Sequence, residues 1–164
     1  MNEACRSLNE KLEKLGHKPC KPLMARKDIS VKDSGRVYRL EFTDARASVA
    51  YQIDGDIVRE GSKCDYLILA EHEKDKDGSV RSWKEIFVEL KGKDVVHAIE
   101  QLDSTVSMQI FRHPTNKELH ARLIAKAIPS TSLNPEYWKA KMKFERDHKN
   151  IKLKTLKSLQ PDRL

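Results

Sequence analysis

Residues 64–93, CDYLILAEHEKDKDGSVRSWKEIFVELKGK, decide the fold, because two apolar, β-prone runs there flank a charged connection. Tyr66 to Ala70 and Glu85 to Leu90 read as paired strands, and Asp77-Gly78 between them supplies a tight turn. Opposed positions of an antiparallel hairpin have a constant sum of residue numbers, so a turn centred on Asp77 sets Asp65 opposite Glu89. Glu89 and Lys91 stand two apart, so their side chains leave the same face where strand geometry continues. A carboxylate pair and an ammonium group are thereby expected at one end of the hairpin.

Neighbouring carboxylates repel one another, and a hard divalent cation with oxygen ligands relieves the repulsion. The expected ion is Mg2+ (or Mn2+), held by Asp65, Glu89 and the carbonyl of Leu90, with open positions for water and a phosphate. Lys91 is expected to hold the attacking water or to neutralise charge growing on the phosphate oxygens. Gly92, next in the chain, lets the backbone turn into the following element.

Outward from the hairpin, Ala4, Leu8, Leu12 and Leu15 have helical spacing, which predicts a first helix over 2–15 that stops at Gly16. The stretch 18–34 contains Pro19 and Pro22 and shows no period, so no element is predicted there. Val37, Leu40 and Phe42, then Val49, Tyr51 and Ile53, read as two strands, with Asp54-Gly55 as a turn signal beyond them. Past Gly92, the i, i+3, i+4 pattern of Val95, Ala98, Ile99, Leu102, Val106 and Ile110 predicts a helix capped by Asp94 and closed before Pro114. Leu119 to Ile128 reads as a further strand. The result is a single domain over 1–164 of α/β (α+β) class, with a basic, helical C-terminal segment at about 135–164.

Charge is concentrated in that last segment. The formal net charge is +7, and residues 137–164 hold nine basic side chains against three acidic ones, so +6 of it lies there. Lys149, Lys152, Lys154 and Lys157 are the expected nucleic-acid-binding residues, since carboxylates at the metal site would repel phosphate until an ion is bound. No apolar run of membrane-spanning length and no signal-like apolar stretch is present, which predicts a cytoplasmic protein with no membrane partner. Cys5, Cys20 and Cys64 form no paired spacing, and the six histidines show no i, i+4 zinc pattern, so structural thiols and no zinc site are expected. Trp83, Tyr137 and Trp138 read as core anchors rather than base-stacking platforms.

Asp65, followed by Val88-Glu89-Leu90-Lys91-Gly92, resembles the D…(E/D)xK signature of the PD-(D/E)xK nuclease superfamily, which includes restriction endonucleases and archaeal Holliday junction resolvases. Gly61 to Ile68 sets the aspartate at the start of an apolar strand, as in that family, although Cys64 stands where many members have proline. The resemblance implies a restriction endonuclease-like αβββαβ core, a mixed central sheet flanked by helices. It also implies a magnesium-dependent endonuclease hydrolysing phosphodiester bonds, with DNA placed ahead of RNA as partner. Gln101 matches a polar helix residue that faces the metal in many members, and joins Asp65, Glu89 and Lys91 as a catalytic candidate. The acid that members supply from the first helix stays open between Glu10 and Glu13, with Asp54 as a third. Cutting both strands of a duplex implies a homodimer. Two alternatives share the fold: a catalytically inactive module that binds nucleic acid or a partner protein, and an RNA-directed nuclease.

Overall fold

The computed structural model describes residues 4–90, 94–130 and 132–164. Its elements are α1 (Leu8–Lys14), β1 (Lys21–Asp33), β2 (Arg36–Gln52), β3 (Tyr66–Lys74), β4 (Val80–Glu89), α2 (Val95–Val106), β5 (Asn116–Ala125), α3 (Pro135–Asp147), β6 (Ile151–Lys157) and β7 (Pro161–Asp162). The class is α+β, around one mixed sheet in the order β1-β2-β3-β4-β5-β6, with β7 added to β2. β1 to β4 pair with one another antiparallel, whereas β5 joins β4 and β6 joins β5 in parallel after the crossovers through α2 and α3, and β7 is parallel to β2. No helix among the described residues is long and apolar enough to cross a membrane.

The alternation of side chains divides the core into two faces. On one, Tyr51, Leu67, Leu69, Phe87, Ala121 and Leu123 meet the three helices through Leu8, Leu12, Leu102 and Phe144. On the other, Ile68, Ile86, Val88, Ile124 and Leu156 pack against Ile29, Val31, Tyr38 and Leu40 of the β1–β2 hairpin. A long, irregular hairpin thus covers the face that no helix covers. Register shifts between Lys21 and Met24 and between Arg26 and Asp28 let it bend. Ser34 and Gly35, both at positive φ, close it as a tight hairpin turn.

Several expectations change. Of the first helix expected over 2–15, the described residues are helical only at Leu8–Lys14, and α2 ends at Val106 instead of running through Ile110. β1 occupies the stretch where no element was predicted; its first five residues are exposed, and Ile29 and Val31 alone supply its apolar anchor, so no period shows. β2 is one 17-residue strand rather than two. The basic C-terminal segment is helical only over Pro135–Asp147, and beyond it β6 and β7 replace the expected helix. Ile151, Leu153 and Thr155 are buried while Lys152 and Lys154 are exposed, a period of two that fits a strand.

The tail is fastened by a buried ionic network. Arg122 Nε on β5 donates to Asp162 Oδ2 at 2.7 Å, and the Tyr38 hydroxyl donates to the same oxygen at 2.6 Å. Arg122 Nη1 also donates to the carbonyls of Ala121 and Lys152. Asp162→Ala, which strands the buried guanidinium, is expected to cost about 3–5 kcal/mol. Tyr38→Phe, which removes one bond to a charged acceptor, should cost about 1.5–3 kcal/mol. Urea unfolding of the two variants checks the order, and equal losses would show that the network does not anchor the tail.

Candidate functional site

The β3–β4 ladder has the register expected from the sequence: Tyr66 opposes Val88, Leu67 opposes Phe87, and the constant sum holds to Glu71 and Trp83. One step beyond Tyr66 and Val88 stand Asp65 and Glu89. The Asp65 N–H donates to the Val88 carbonyl at 3.1 Å, and its own carbonyl accepts the Ile53 N–H at 2.8 Å. Its side-chain Oδ2 accepts the Leu90 N–H at 2.8 Å, so the carboxylate takes the place of the next main-chain rung. Oδ1 makes no hydrogen bond among the described residues. Asp65 also lines a cleft of about 60 Å³ with Asp33, Gln52, Asp54 and Tyr66.

Glu89 ends β4, is 2% exposed, and by alternation with Phe87 points to the helix-covered face. Cys64 lies beside both acids: burial first, then the charges of Glu89 and Asp65, push its thiol well up. Lys91, with Gly92 and Lys93, lies outside the described residues.

Helix α2 holds the segment that leads into Asp65. Gln101 Nε2 donates to the Lys63 carbonyl at 3.1 Å. One turn on, Thr105 Oγ1 accepts the Cys64 N–H at 2.8 Å and donates to the Gln101 carbonyl at 2.7 Å. Gln101 Oε1 is buried without a hydrogen-bond partner among the described residues. Thr105 was not legible as a site residue, because a mid-helix threonine shows its role only once Cys64 is seen beside it.

Among the candidates for an additional acid, Glu10 is engaged with the Arg6 N–H and Lys14 at the surface. Glu13 is exposed, and after burial its charge contributes to raising the Tyr51 hydroxyl. Asp54 alone lines the Asp65 cleft, where it pairs with Lys63 at 3.6 Å.

The C-terminal lysines scatter. Glu89 pairs with Leu123, and Leu123 with Thr155, so Lys157 lies two pairs farther along the end of the sheet where Glu89 sits. Lys152 and Lys154 alternate to the opposite face, where Lys154 approaches Asp162 at 3.9 Å. Lys149 precedes β6 and lines a cavity of about 340 Å³ that Glu85, four residues before Glu89, also lines.

No three histidine, cysteine, aspartate or glutamate side chains close into a metal cage among the described residues. Magnesium keeps several waters and takes one or two carboxylates, a donor set that Asp65 and Glu89 match. The Gln101 oxygen, buried without a partner among the described residues on the side chain that holds the Lys63 carbonyl, is an acceptor suited to an ion-bound water. No protein-family model, curated protein or solved structure matches the chain.

Glu85 has a different fate from Glu89 on the same strand face. It is 2% exposed and accepts Asn116 Nδ2 at 2.8 Å. Burial pushes its carboxyl well above the ordinary 4.5, outweighing the opposing effects of Asn116 and Lys11. The native chain therefore retains a proton that the unfolded chain releases first, and stability falls as pH rises from about 4.5 through the raised value. Glu85→Gln is expected to stabilise the fold at neutral pH and to flatten that fall. Unfolding midpoints from about pH 4 to about pH 8 test the assignment, and an unchanged slope refutes it.

Proposed function

We propose that the chain is a metal-dependent nuclease that hydrolyses phosphodiester bonds, with DNA as the expected substrate. The observation that carries this reading is Asp65 and Glu89 at the same end of the β3–β4 ladder, one carboxylate fixed by the Leu90 N–H and the other buried where β4 ends. The strand order supports it. Antiparallel β2, β3 and β4, followed by α2 and a parallel β5, run in the sequence of the αβββαβ core that the motif resembles.

Asp65 and Glu89 would hold the ion, together with the Leu90 carbonyl, and Asp54 supplies a further carboxylate at the cleft. A bound Mg2+ supplies Lewis-acid polarisation of the phosphate and a lowered pKa for its water. The chain's own groups do the positioning. Asp65 is oriented by the Leu90 N–H, and its loop by Gln101 and Thr105. Lys91, two residues past Glu89, would neutralise charge that builds on the phosphate oxygens. A second copy is needed if both strands of a duplex are cut by one kind of site.

Glu89→Ala should remove Mg2+ binding in calorimetry and abolish cleavage, while Lys91→Ala should abolish cleavage with metal binding and folding retained. A wild-type chain that cuts no DNA or RNA with Mg2+ or Mn2+ and binds neither ion refutes the reading, and nucleic-acid affinity without either property would favour the inactive module. Among the C-terminal lysines, Lys157→Gln should flatten the salt dependence of DNA affinity, by roughly 0.9 of a unit for the phosphate it ceases to neutralise, whereas Lys149→Gln should not.

A further inference from the structure

Around the end of the sheet from Asp65 lies a second concavity, of about 360 Å³, lined by Cys20, Lys21, Ser30, Val31, Lys32 and Tyr66. Tyr66 also lines the Asp65 cleft, so one side chain forms part of both walls. Its hydroxyl donates to the Lys32 carbonyl at 3.0 Å, which ties the ring to the β1 wall. The bend in the β1–β2 hairpin brings the two ends of β1 to the same aromatic ring. Lys21 and Lys32 are exposed cations, and neither takes part in an ion pair among the described residues. The lining itself contains no carboxylate, in contrast to the three aspartates of the adjoining cleft.

We propose that this concavity binds the nucleotide flanking the scissile phosphate of a single-stranded nucleic acid. Its phosphate lies against Lys21 and Lys32 and its base against Tyr66. The inference rests on the nuclease reading only for the words "scissile phosphate"; strand binding itself needs no metal. Charge sets the occupant, because an acidic cleft repels a phosphodiester and the concavity that shares Tyr66 with it is lined by a lysine pair without a carboxylate. Size sets the form. About 360 Å³ is at the small end of ligand sites, roughly 300–1,000 Å³, and suits one nucleotide rather than a stacked pair. Lysines tracking the backbone beside an aromatic ring are the usual means of holding unpaired strands without reading sequence. The substrate class is therefore a strand that is single at, or next to, the cut: a free single strand, a flap or a splayed end.

The test measures binding of the full-length chain to a fluorescent single-stranded oligonucleotide and its duplex across a salt series, with chelator and no divalent ion. The wild type should bind the single strand more tightly. The K21E/K32E variant should lose about 10-fold or more of that affinity, and the salt slope should fall by roughly 0.7 for each phosphate left without its lysine. Tyr66→Leu should weaken single-strand binding and leave the slope unchanged, since stacking releases no counterions. K152E/K154E, a reversal of equal size on β6 at the other end of the strand order from β1, should have the smaller effect. Equal effects of the two reversals, unchanged affinity in K21E/K32E, or tighter binding of the duplex would each overturn the proposal. Cleavage by the wild type with Mg2+, measured separately, keeps the two readings apart. A chain that cleaves while K21E/K32E binds normally loses the subsite and keeps the nuclease. One that never cleaves but shows the lysine effect loses the nuclease and keeps the subsite.

Discussion

The hydrogen bond from the Leu90 N–H to Asp65 Oδ2 is the constraint on which the candidate site depends. At this point the partners of the β3–β4 ladder separate, one toward the 53–65 connection and the other toward α2. Strand ends that part in this way expose main-chain donors, and a buried donor without a partner is costly. A carboxylate supplies the acceptor instead, in a charge-assisted bond stronger than a neutral rung. Because that bond uses Oδ2, the side chain is oriented and Oδ1 is left for the cleft. One interaction thus ends the ladder and aims a charged oxygen.

Aiming holds only if the segment before Asp65 is fixed, and α2 fixes it from the helix-covered side. Gln101 and Thr105, four apart, share one helical face and take the Lys63 carbonyl and the Cys64 N–H. On the other face the β1–β2 hairpin provides the second layer, and Arg122, Asp162 and Tyr38 fasten β5, the tail and β2 together. The sheet is thereby held from both sides at positions that belong to neither candidate carboxylate. Glu89 can remain buried at the sheet's end while Glu85, deeper on the same strand and with its carboxyl pushed up by burial, serves the fold.

Legibility in the sequence followed the strength of local patterning. The hairpin of β3 and β4 was readable because each run is apolar on both faces and Asp77-Gly78 lies midway; Gly78 has the positive φ that such a turn needs. Its register carried the Asp65–Glu89 relationship with it. Helix α2 was readable in type but not in extent. The apolar spacing continues to Ile110, yet the α-helix ends at Val106 and a short 3₁₀ turn over Gln109–Phe111 maintains the burial of Phe111. β1 was hidden because it gains its place from pairing with β2 and not from its own burial. In β6, lysines at every other position suggested a solvated helix, although Ile151, Leu153 and Thr155 between them carry the period of a strand. Lys91 and Gly92 stay as read from the motif alone, outside the described residues.

Charge tallied along a chain is a poor map of the field around the folded molecule. Residues 137–164 hold +6 of the net +7, yet β6 spends Lys152 and Lys154 on the face away from Glu89. On an edge strand those lysines have a separate physical use, since charges there discourage pairing with a second sheet. The segment up to Glu136 is nearly neutral in sum. Within it, however, folding separates Asp33, Asp54 and Asp65 into one concavity and Lys21 and Lys32 into another, with Tyr66 in the lining of both. A phosphate responds to charges within about 10 Å at ordinary salt, so near-neutrality over 136 residues and a steep local gradient are compatible. An acidic cleft needs a cationic neighbour before a polyanion can approach it. The bent hairpin provides one by bringing β1 to the end of the sheet where the ladder of β3 and β4 stops.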